Sequence, residues 1–259
     1  MKNIKFLLIA IVFIGSTVAN AQDGSGGNQK VRFGLVVNSG SAWLATDNSQ
    51  ESEGFGFSVG YGLQTEFRIS DYVSISTGLS QKNYSAGVSY ADSSVSLIYE
   101  TKKEGEALPA DTSLLLSRNY YFNSVALPFK LKLKTPEIGY LTYFLEAGIT
   151  GNINYKTLAK KNKVDKGNSI DLLSGDNEEI DVNDATNWFR AAVSLGIGAE
   201  YSLVGNTSLF LLVNWENGIT NMLRDDEGSK TKLIYPKSGK VFEQKGTLNY
   251  IGLTVGLLF

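Results

Sequence analysis

The chain has 259 residues, no cysteine, no histidine, 19% charged residues and a formal net charge of −2. That balance offers no field to nucleic acid or to anionic lipid. Without cysteine there are no disulfides. Without histidine or cysteine there is no Ser-His-Asp or Cys-His catalysis and no imidazole- or thiolate-held zinc.

The first segment reads as a targeting signal. Lys2 and Lys5 precede the apolar run 6–14, FLLIAIVFI, and Ala19-Asn20-Ala21 fits the small-x-small cleavage rule. Residues 1–21 are therefore expected to be removed, with 22–30 as a flexible leader. After residue 21 no apolar run is long enough for a transmembrane helix. If 31–259 enters a membrane, it must cross as a closed barrel, because no other sheet satisfies its backbone groups there.

From residue 31 onward the hydrophobic period is two. Strands are expected near 31–43, 54–69, 72–86, 119–134, 139–155, 187–203, 207–219 and 246–259. The links at 70–71, 135–139 and 204–206 are tight. Those at 45–53, 87–118, 156–186 and 220–245 are long and polar. Short turns at one end and long loops at the other is the outer-membrane pattern, which places both termini in the periplasm. Within loop 87–118, VSLIYE and SLLLSRNYYF read as strands prolonged beyond the bilayer, around a KKEGEALPAD tip.

The two faces of each strand differ in kind. In the last strand Ile251, Leu253, Val255, Leu257 and Phe259 share one side, opposite Tyr250, Gly252, Thr254 and Gly256. The polar sides are rich in Gly and Ser, which suit a narrow interior better than a wet sheet. Aromatic residues gather towards strand ends, as interfacial girdles do. The expected fold is all-β: a closed antiparallel transmembrane β-barrel of eight strands. Phe259 then sits at the periplasmic rim facing lipid. With Tyr250 it forms a terminal aromatic strand of the kind that the outer-membrane assembly machinery reads.

The motifs VALPFKLKLK (125–134), YFLEAGITGNINY (143–155) and NWENGITNM (214–222) follow one another in order. In these the chain resembles the PorT-like outer-membrane β-barrel family of Bacteroidota, although Trp215 and Ile219 depart from the usual residues. The resemblance implies an outer-membrane barrel of about eight strands. It implies no single activity; some relatives serve protein secretion.

The same alternation turns a mixed set of charges inward: Arg32, Arg68, Lys82, Lys130, Lys132 and Arg190, with Glu66, Glu146, Glu200 and Glu216. In so narrow a bore they are expected to pair as a structural network rather than to line a conduit. Asp176, Glu178, Asp181 and Asp184 could offer calcium its carboxylates, but they lack the EF-hand spacing and read better as one arm of a solvated hairpin. No catalytic residue, cofactor or metal is expected. The expected role is structural or interactive, through long extracellular loops that carry a possible protein partner. A narrow porin and an accessory of a secretion machine are the alternatives.

Overall fold

The computed structural model describes residues 30–46, 50–90, 96–99, 113–165, 170–172, 179–224, 231–234 and 242–259. The expected signal segment, most of the leader, the tip at 102–111, and Asp176 and Glu178 lie outside the described residues. Among those described, no helix is long and apolar enough to cross a membrane. The chain instead forms strands β1 (Val31–Thr46), β2 (Glu51–Arg68), β3 (Val73–Ser89), β4 (Ser96–Tyr99), β5 (Ser113–Lys134) and β6 (Leu141–Asp165). There follow β7 (Ile170–Leu172), β8 (Glu179–Asp181), β9 (Phe189–Ser202), β10 (Ser208–Gly218), β11 (Thr231–Ile234) and β12 (Gly246–Leu258).

Eight of them close into a ring in the order β1, β2, β3, β5, β6, β9, β10, β12 and back to β1, every pairing antiparallel. The closing seam pairs Leu35 with Leu257, and Phe33 and Phe259 exchange two backbone hydrogen bonds of 2.9 and 2.7 Å. A closed ring leaves no unpaired edge, which is what a bilayer demands. The turns 69–72, 135–140 and 203–207 sit at the same end as Lys30 and Phe259. Gly139 and Gly205 turn the chain there with φ of 68°, a region that side chains disfavour.

Over the part of the ring nearest the short-turn end, even-numbered residues face inward and odd-numbered ones face outward. From Phe55 to Phe67 in β2, Tyr143 to Tyr155 in β6, Phe189 to Tyr201 in β9, Leu209 to Asn217 in β10 and Ile251 to Phe259 in β12, no outward residue is charged. Tyr143 and Tyr155 mark the limits of this band on β6. At ~3.3 Å per residue and ~40° of tilt they stand about 30 Å apart along the axis, the apolar thickness of a bilayer.

At the long-loop end the wall continues past the band. β4 joins β5 and β11, while β7 and β8 join β6. These strands enclose an apolar core that includes Tyr90, Leu115, Tyr120, Phe122, Val182, Met222, Leu233 and Phe242. The strand extensions expected within 87–118 are thus present as β4 and the first half of β5.

Most strand boundaries lie within about three residues of expectation; β6 differs most. β6 runs to Asp165, not 155, so the first part of the expected loop 156–186 is strand. The alternation breaks at Tyr155, where Lys156 pairs with Asn123 but Asn154 with Ser124. One extra residue on β6 makes this a β-bulge, and it reverses the inward parity. The parity shifts again at Lys161, a non-glycine residue with φ of 52°.

Candidate functional site

Two tiers of charge and a polar middle fill the bore. Nearest the short-turn end, β1, β2, β5 and β9 bring together Arg32, Glu66, Lys132, Lys134 and Glu200. Arg32 reaches Glu66 at 2.9 Å and Glu200 at 3.0 Å, and also donates to Ser208 Oγ at 3.2 Å. Lys132 meets Glu66 at 3.0 Å and pairs with Glu200, while Lys134 pairs with Glu66 and lies 3.7 Å from Glu200. Lys132 is wholly buried, with its ammonium 4.0 Å from the Phe144 ring centroid.

Further in, Lys130 lies 3.4 Å from Glu146 and donates to Asn214 Oδ1 at 3.3 Å. Ser194 donates to the same oxygen at 3.0 Å. Towards the long-loop end, Glu216 of β10 takes Lys82 at 2.6 Å and Arg190 at 3.1 Å on its two oxygens. Arg190 also donates to the Leu248 carbonyl at 3.0 Å. The Tyr84 hydroxyl lies 3.2 Å from Asn152 Oδ1 and 3.3 Å from Glu216 Oε2. Lys82 stands 5.0 Å from the Tyr250 ring centroid.

Small inward residues make room for the large ones. A Cβ on Gly198 would come within 2.5 Å of the Phe144 ring, and one on Gly256 within 2.4 Å of Phe210. With Val36, Leu212 and Leu258 these rings close the short-turn half, while the apolar core closes the other.

Nine of the ten charges picked out by parity lie in this interior; Arg68 does not. It is the last residue of β2, at the rim, and binds Asp71 three positions on at 2.7 Å, with 36% of its side chain exposed. Parity gives the face but not the height along the axis, and a local acid across the turn holds Arg68 outside. Lys134, which sequence reasoning missed, takes its place; it lies on the inward parity of β5, and no partner nearby in sequence signalled its reach to Glu66. Tyr250 is buried in the bore, 1% exposed, whereas Phe259 is outward and 51% exposed.

Among the described residues of these tiers, each of the four carboxylates has a cation and six cations are present, while a further buried cation, Arg118, donates to Asn162 Oδ1 at 2.8 Å towards the long-loop end. Buried ions need such partners to be tolerated. Among the described residues no acidic cluster is suited to a metal ion. Asp181 accepts the Asn183 N–H at 3.1 Å and so shapes the turn before β9.

A closed eight-strand ring, an uncharged outer band about 30 Å high and a bore of paired charges define an integral β-barrel membrane protein. Residues 20–224 match the family model described as outer membrane protein beta-barrel domain, and the chain belongs to that family. It is an outer-membrane β-barrel protein. A search of curated proteins gives no match. Among solved structures the chain is similar to Neisserial surface protein A, at 14% identity and TM-score 0.37, over 87% of this chain and 95% of that one. It is similar to OprG of Pseudomonas aeruginosa, at 11% identity and TM-score 0.41, over 87% and 93%. A major outer membrane protein of Thermus thermophilus shares 12% identity at TM-score 0.40, over 89% and 100%.

Proposed function

We propose that the protein is a non-catalytic, non-conducting barrel that holds an interaction surface above the outer membrane. The supporting observation is the contrast between its two ends. The short-turn end stops at tight turns. The other continues beyond the apolar band into prolonged ring strands and added short strands that share an apolar core continuous with the bore. Loops on a rigid scaffold are where recognition is usually carried. In this reading the short-turn end and both termini face the periplasm, the prolonged end faces outward, and the exposed Phe259 strand is what the assembly machinery engages. A porin role is disfavoured by the filled bore, and catalysis by the engagement of every interior carboxylate in an ion pair. The PorT-like resemblance, carried by segments of β5, β6 and β10, adds a secretion machine as one setting for such a surface.

Site-specific photo-crosslinking in cells tests this. Probes at Lys161 and Glu179, both exposed at the prolonged end, are expected to give a discrete protein adduct. Probes at Tyr61 in the apolar band and Val204 at a short turn are not. The same pattern at all four positions, or no adduct at any, would contradict the proposal.

A further inference from the structure

The long-loop limit of the apolar band is not uniform around the ring. At Trp43 and Phe55, and again at Trp188 and Phe189, it is aromatic, with ring centroids 5.3 and 5.7 Å apart. On the wall centred on β3, β5 and β6 it is polar. The Tyr61 hydroxyl of β2 donates to Gln81 Oε1 of β3 at 2.8 Å, and Gln81 Nε2 donates to the Tyr155 hydroxyl of β6 at 2.9 Å. This chain of side chains lies on the outer face and reaches across β5.

Two hydrogen bonds do not exhaust these groups. An amide has two N–H donors and an oxygen with two lone pairs, so Gln81 keeps a donor and an acceptor, and the Tyr155 hydroxyl keeps its own proton. At the edge of hydrocarbon such groups favour a polar partner.

The next row towards the long loops adds a charge. Asn83 pairs with Asn123 across β3 and β5, and Asn123 with Lys156 across β5 and β6, so three outward side chains stand side by side. The bulge turns Lys156 outward next to Tyr155, and Asn123 Nδ2 holds it there by donating to the Lys156 carbonyl at 3.2 Å. Among the described residues Lys156 has no acidic partner, whereas further along β6 Lys160 pairs with Glu179 and Lys163 meets Glu53 at 3.2 Å. On the other side of the tyrosines the same strands present Val125, Leu127 and Ile153 to the lipid.

Along the axis this wall therefore offers apolar contact, then hydroxyl and amide groups, then an uncompensated ammonium. An amphiphile that matches the order has acyl chains, a hydroxylated headgroup and an anionic group on it. An anionic phospholipid would satisfy Lys156 and leave most of the amides unused; a neutral glycolipid would do the reverse. The net charge of −2 does not oppose an anion here, because exposed charges beyond about 10 Å are screened.

We propose that this wall is a binding site for one phosphorylated glycolipid, with its phosphate on Lys156 and its sugar hydroxyls on Asn83, Asn123 and the Tyr61–Gln81–Tyr155 chain. The site is independent of the protein partner proposed above, and its occupation in detergent does not depend on which way the barrel is inserted.

Native mass spectrometry of the folded full-length protein in detergent micelles tests it, by titration with monophosphoryl lipid A, phosphatidylglycerol and a neutral digalactosyl lipid. One monophosphoryl lipid A per barrel is expected, bound at least tenfold more tightly than either of the others. Lys156→Gln is expected to weaken it about fivefold, the effect of one lysine at an anionic lipid surface. Gln81→Leu, which places an apolar side chain on an outer face, is expected to weaken it too and to leave phosphatidylglycerol binding unchanged. Lys163→Gln, outside the patch, is expected to change nothing. The gel mobility of the unboiled variants confirms that each is folded. Equal binding of monophosphoryl lipid A and phosphatidylglycerol would mean ordinary anionic lipid around the barrel and overturns the site. So does the absence of a bound lipid A, or unchanged binding in folded Lys156→Gln or Gln81→Leu.

Discussion

Lys82 of β3 and Glu216 of β10 meet at 2.6 Å inside the bore, from strands on opposite sides of the ring. Arg190 of β9 holds the second oxygen of the same carboxylate at 3.1 Å. This brace joins three strands by side chains alone, where the backbone ladder joins only neighbours.

Removing the shared carboxylate strands two buried cations. Glu216→Ala is therefore expected to cost about 3–5 kcal/mol. Urea unfolding from lipid vesicles measures it. A loss under about 1 kcal/mol, the range of a surface pair, would mean that the brace is not buried in the way described.

Arg68 and Lys134 separate face from height. Arg68→Ala breaks an exposed rim pair and is expected to cost under about 1 kcal/mol. Lys134→Ala removes a cation shared by two buried carboxylates and is expected to cost more. The same unfolding assay compares them, and equal costs would argue against the five-charge tier.

The period of two made all eight ring strands legible, and parity put Glu66, Lys132, Glu146 and Glu200 on one interior. What parity does not carry is displacement. The bulge at Tyr155 turns two successive residues outward, so the prolonged β6 looks like the start of a loop. Lys134 and Arg68 share a parity, yet only contacts between distant strands show which one reaches inside.

The face assignment is open to direct test. Leu195 and Leu253 are outward within the apolar band, 44% and 48% exposed. Arginine at either is expected to destabilise the barrel by about 2–4 kcal/mol in lipid. Spin labels at 195 and 253 should report lipid, and those at 196 and 252 should not. The opposite pattern would turn the barrel inside out.

Closure also has a signature in simple fractionation. The protein should stay with outer membranes through an alkaline wash. Its unboiled and boiled forms should migrate differently on a denaturing gel, because a ring without edges does not unzip readily. Recovery as a soluble periplasmic species would contradict the barrel.

An outer-membrane barrel of this width is filled. Its bore is stopped by aromatic rings and ion pairs at one end and an apolar core at the other. Single-channel recording of the purified protein in planar bilayers tests this most directly. No steady conductance is expected from the wild type. Steady openings of uniform size would contradict it and make the narrow porin the better reading.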